Sequence, residues 1–84
     1  MQQLMTHLKT LATLKEGQEG LIHEFTDDLM ASKLLSMGVL PGKLLRLIRR
    51  LPFGGGLYIK IGEQNIALRL EEAKNIVLDM NLTV

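Results

Sequence analysis

The chain has 84 residues, no cysteine, 46% hydrophobic and 23% charged residues, and a formal net charge of +1. A chain this short buries roughly 60–65% of its unfolded surface, enough for one domain with one core, and its composition excludes disorder. The missing cysteines exclude a disulfide framework or a thiolate zinc site, and near-neutrality excludes strong long-range attraction to nucleic acid or an anionic membrane.

Leu4, Met5, Leu8 and Leu11 recur at helical spacing, so residues 1–9 are expected to form a short helix or a loosely docked arm. Gln2, Gln3, His7 and Lys9 interrupt the apolar stretch that a signal peptide would need. No run approaches the roughly 20 apolar residues of a membrane-spanning helix, and the expected setting is cytoplasmic. Phe25, Phe53 and Tyr58 are the only aromatics, so the core must be aliphatic.

Lys15-Glu16-Gly17 reads as a turn and Gly20–Phe25 as a short strand. Thr26-Asp27-Asp28 supplies an N-cap, and Met30, Leu34 and Met37 then follow a helical period, widened by Leu29 and Leu35. This predicts a helix over about 28–37, closed by Gly38 and followed by a type II turn at Pro41-Gly42. From Leu44 to Arg50 the pattern is β-rich with broken alternation, as a bulged strand gives. Leu57, Ile59 and Ile61 alternate cleanly, and a turn at 62–65 leads to Ile66, Leu68 and Leu70, forming a hairpin. A helical turn near 71–75 and a final strand from Ile76 complete a mostly β chain. Several short strands with one real helix predict a small β-barrel.

Candidate chemistry is sparse. Gly54-Gly55-Gly56 is followed by a strand and lacks the Lys-Ser/Thr of a phosphate loop, so it reads as a connection between strands. His23, Glu24 and Asp27 could make only a weak oxygen-rich metal site, and no metal or cofactor is expected. No Ser-His-acid set and no cysteine nucleophile are present, which points away from an enzyme. Lys43, Arg46, Arg49 and Arg50 form a basic edge beside Phe53 and Tyr58. A small barrel could use such an edge for single-stranded nucleic acid, yet stacking platforms are few. An acidic protein surface suits it equally well.

The order of motifs resembles the FeoA family, the ferrous iron transport protein A of bacterial iron uptake. The matching pieces are Leu11-x-x-Leu14-x-x-Gly17-x-x-Gly20, Lys33-Leu-Leu-Ser-Met-Gly-Val-Leu-Pro-Gly42, Pro52-Phe53-Gly54-Gly55, Ile66-Ala-Leu-Arg69 and Glu72-Ala73-x-x-Ile76-x-Leu78. Lys33 stands where the family often carries arginine, and residues 1–9 extend beyond its usual start. The same barrel also occurs as the C-terminal domain of metal-dependent repressors, whose helix-turn-helix and metal sites find no room here.

The resemblance implies an SH3-like barrel over residues 10–84 that binds and modulates FeoB, the membrane ferrous-iron transporter, through its GTP-binding cytoplasmic region. Such a protein would touch the membrane only through that partner, without nucleic acid, and could form homo-oligomers. Candidate partner-binding residues are Lys33, Arg46, Arg49, Arg50, Phe53 and Tyr58. The alternatives are a nucleic-acid-binding barrel using the 43–50 edge and an iron-binding sensor or chaperone.

Overall fold

An aspartate and a glycine fix the ends of the main helix. In the computed structural model, which describes residues 7–81, helix α1 spans Asp28–Ser36. The Asp27 carboxylate accepts a hydrogen bond from the Leu29 amide at 2.9 Å, satisfying one of the free amides of the first turn. At the other end Gly38 takes φ 94°, its amide donates to the Leu35 carbonyl, and the Val39 amide donates to the Leu34 carbonyl. That pair of bonds ends a helix at a left-handed residue, and Leu34 and Val39 on either side of it are both fully buried in the core. Gly42, at φ 90°, then completes the turn expected at Pro41-Gly42, with the Lys43 amide bonded to the Leu40 carbonyl.

The apolar stripe of α1 is narrower than the leucine spacing predicts. Leu34 is buried and Met30 and Met37 pack partly against the core, but Leu29 is 86% exposed and Leu35 also faces solvent. With nine residues, the helix rests on the sheet through one line of side chains only.

Six strands form one antiparallel sheet: β1 (Leu8–Thr10), β2 (Glu19–Phe25), β3 (Leu44–Leu51), β4 (Gly56–Ile61), β5 (Gln64–Leu68) and β6 (Ile76–Asp79). Their order is β1-β6-β2-β3-β4-β5. Ile22, Leu45, Leu47, Leu57, Ile59 and Leu78 point inward from four of these strands and join Leu11, Leu14 and Leu34 in a single aliphatic core. Phe25 only packs against its margin. Period-2 side-chain alternation turns this pattern into an inner and an outer face.

Two bulges re-aim the outer face. The β3–β4 register shifts between Leu47 and Arg49, so Ile48 and Arg49 are consecutive and both exposed. This is the broken alternation visible in the sequence from Leu44 to Arg50. A second shift between Ile22 and Glu24 leaves His23 and Glu24 both exposed on β2.

The helical expectation for residues 1–9 fails where it can be checked. Residues 1–6 lie outside the described residues, but Leu8–Thr10 is a strand paired with β6, Leu8 opposite Asp79 and Thr10 opposite Val77. An isolated helix this short is marginal in water, whereas the open edge of β6 offers backbone partners to an extended chain. Leu11, the last residue of the supposed helical stripe, is fully buried in a 3-10 turn (Leu11–Thr13).

Helix α2 (Leu70–Ala73) is a single turn, one residue earlier than expected, and Glu72 holds it in place. One Glu72 carboxylate oxygen accepts from the Arg69 amide at 2.7 Å, and the other lies 2.5 Å from the Lys33 Nζ of α1. Burial raises the Glu72 pKa, but the Lys33 ammonium and the Arg69 amide outweigh it and hold the carboxyl below the ordinary 4.5. The Glu72 side chain is 5% exposed and that of Lys33 54%, so water screens the pair from one side.

The three glycines of the β3–β4 connection have different tasks. A Cβ on Gly56 would lie 2.2 Å from the Leu68 carbonyl oxygen, and its φ is 114°. Gly54, at φ 69°, has open space around it. Gly56→Ala should therefore cost about 3 kcal/mol or more, and Gly54→Ala about 1–2 kcal/mol, in urea unfolding. Glu72→Gln keeps an acceptor but loses the ion pair, and should cost about 1 kcal/mol at pH 7. Because the folded-state pKa is lowered, that contribution is complete above 4.5 and disappears as pH falls through the folded value. The stability gap between wild type and Glu72→Gln should accordingly close in acid.

Candidate docking surface

The connection between β3 and β4 is a proline-initiated 3-10 turn, Pro52–Gly54, closed by the Gly55 amide donating to the Pro52 carbonyl at 3.1 Å. Within it Phe53 adopts φ 58° and ψ 35°, the only positive φ at a non-glycine among the described residues. Left-handed backbone costs an L-residue about 1–2 kcal/mol, and bulky side chains rarely adopt it. The ring gains nothing back from burial, since Phe53 is 104% exposed relative to the reference residue. Phe53 therefore points outward and does not cover an end of the barrel.

The basic residues divide sharply. The Arg50 guanidinium donates to the carbonyls of Ala12 and Leu14, the latter at 2.6 Å, and its amide donates to the Glu16 carboxylate at 2.8 Å. Arg50 is thus a clamp on the β1–β2 connection. Arg46 donates through Nε and Nη2 to one Glu19 carboxylate oxygen, at 3.1 and 3.0 Å, directly across from it on β2. Lys33 belongs to the Glu72 pair. Arg49, by contrast, has no ion pair or hydrogen bond from its side chain among the described residues. It stands opposite Tyr58 across the β3–β4 ladder, and both are exposed.

The same outer face carries more than the sequence reading named. Arg46 faces Lys60 across the ladder, and Lys43, Leu44, Arg46, Ile48 and Lys60 line a shallow concavity of about 590 Å³ with Glu19. Lys60 was legible, because it alternates with the buried Ile59 and Ile61 and so shares the face of Tyr58. Ile48 was not, since only the position of the bulge turns it outward.

The weak metal candidates are not brought together as a site. His23 and Glu24 are consecutive exposed residues at the β2 bulge, and Asp27 uses a carboxylate oxygen to cap α1. Among the described residues no group of three or more His, Cys, Asp or Glu could hold a metal ion. No helix among them is long and apolar enough to cross a membrane.

The FeoA domain model matches residues 9–80. No curated protein sequence matches the chain at a significant level. Among solved structures, Stenotrophomonas maltophilia FeoA, a prokaryotic SH3 domain protein complexed with zinc, is 30% identical with TM-score 0.72, covering 84% of this chain and 89% of that one. Iron(II) transport protein A from Clostridium thermocellum is 32% identical with TM-score 0.73, over 84% of this chain and 45% of that one. A manganese-dependent transcriptional repressor shares the fold at 21% identity and TM-score 0.79; this chain, matched over 87% of its length, spans 41% of it. The curved sheet is SH3-like, as expected, and the chain belongs to the FeoA family.

Proposed function

We propose that this chain is a small cytoplasmic accessory of bacterial ferrous-iron uptake, acting by docking on the GTP-binding cytoplasmic region of a FeoB-type transporter. Family membership supports the link to iron transport, as does the description of the Stenotrophomonas maltophilia protein as a candidate activating factor for ferrous iron transport. Phe53 carries the choice of docking over other modes of action. A fully exposed aromatic ring on a turn that holds it in an unfavourable backbone conformation has no role in the fold. Strain of this kind persists where function uses it, and an aromatic side chain is the usual centre of a contact surface.

Action by binding and not by catalysis is the reading supported by a small SH3-like domain that presents an exposed aromatic anchor. Modulation follows from occupancy: a partner bound to one state of the transporter's nucleotide cycle shifts the population toward that state.

Co-purification with a FeoB-type transporter tests the proposal. Phe53→Ala removes no buried contact, so its unfolding free energy should stay within about 0.5 kcal/mol of wild type. Capture of the transporter should fall by about tenfold or more, the loss expected of a central aromatic anchor. Undiminished capture by the folded variant would remove Phe53 from the contact.

A further inference from the structure

The outer face of the β3–β4 hairpin has a composition that the fold does not require. Leu44, Ile48 and Tyr58 are exposed large apolar side chains on it, and Lys43, Arg46, Arg49 and Lys60 surround them. Of the residues lining its concavity, three are cations and Glu19 is the only acid. The whole chain carries only +1, so this face concentrates positive charge that the rest of the surface offsets. Arg46 is held by Glu19, whereas the charges of Arg49, Lys43 and Lys60 face no acid within ion-pair distance among the described residues.

Resting on the docking reading above, we infer that this face binds an acidic peptide segment bearing apolar side chains, laid along the hairpin from Lys43 toward the Phe53 turn. The strip from Leu44 to Leu51 is about 25 Å long at the rise of a strand, the span of a short extended segment. Apolar side chains of the segment cover Leu44, Ile48 and Tyr58, and its carboxylates meet Arg49, Lys43 and Lys60. A phosphate backbone would meet the same charges, but it would leave the leucine and isoleucine unpartnered and would stack only on Tyr58 and Phe53. The bulge is central to the arrangement. It presents Ile48 beside Arg49, so that one apolar and one cationic side chain emerge together opposite Tyr58.

The experiment is a fluorescence-anisotropy titration of the intact chain with three probes. These are an alternating Leu/Glu peptide of about 12 residues, a single-stranded oligonucleotide of matched charge, and phosphatidylserine-containing vesicles. The Leu/Glu peptide should bind, weaken on raising salt to about 0.5 M, and weaken at least about tenfold with Arg49→Glu/Lys60→Glu. It should weaken comparably with Leu44→Ser/Ile48→Ser, while the oligonucleotide and vesicles bind less tightly. All four residues are exposed, so circular dichroism should show both double variants folded.

The inference is overturned if the peptide does not bind, if charge reversal leaves its binding unchanged, or if oligonucleotide or vesicles bind as tightly. Capture of the transporter separates this inference from the docking reading. A transporter held equally by wild type and Arg49→Glu/Lys60→Glu overturns this face and leaves docking intact. A transporter that wild type fails to capture overturns docking, and the peptide titration then decides the face alone.

Discussion

The close approach of Gly56 to the Leu68 carbonyl is the constraint on which the rest of the molecule turns. It brings the start of β4 against the end of β5 with no side chain between them. This lets Leu57 and Leu68 pair directly and enter the same core from neighbouring strands. It also fixes where the chain must leave β3, because Leu51 pairs with Gly56 and only four residues remain for the connection. Phe53, with its left-handed backbone, lies within that four-residue connection. The same contact thus fixes the short stretch of chain from which the exposed ring projects.

An aliphatic interior frees the aromatics for other uses. Among the described residues the fourteen buried hydrophobics contain no phenylalanine or tyrosine, and leucine, isoleucine, valine and one alanine fill the space between the strands. The cations follow the opposite economy. Arg50 is drawn into holding two carbonyls, which joins the 3-10 turn after β1 to the end of β3. Lys33 likewise keeps the buried Glu72 charged and ties the two helices together. Lys43, Arg49 and Lys60, which carry no ion pair among the described residues, gather on the outer face of the β3–β4 hairpin, and that surface is what the fold leaves over for a partner.

Much of this was legible in the sequence, because period and punctuation carry it. The Asp27 cap, Gly38 and Pro41-Gly42 bracketed α1 within a residue or two, and the alternation of Leu57, Ile59 and Ile61 assigned β4. The irregular β3 pattern announced a bulge. Other features depend on contacts between distant segments. No local pattern distinguishes a helical stripe at Leu4–Leu11 from a short strand that needs the edge of β6. Nor does any pattern reveal that Arg50 reaches Ala12 and Leu14 while its neighbour Arg49 reaches no partner among the described residues. Adjacent arginines look alike on paper and differ only once a partner strand sets their direction. Phe53 was the intermediate case: its turn was readable, but its outward direction follows from one φ angle.

The β3 bulge has a consequence for how such a surface can change. Ile48 is the extra residue in the ladder, opposite no residue of its own on β4. Leu45 and Leu47 before it keep their inward positions whatever side chain it carries, because their register is set on the near side of the bulge. Selection can therefore vary the side chain at 48, and with it the partner that the hairpin recognises, without renegotiating the interior. In this small barrel the grammar of the fold and the vocabulary of recognition are written at different positions of one strand.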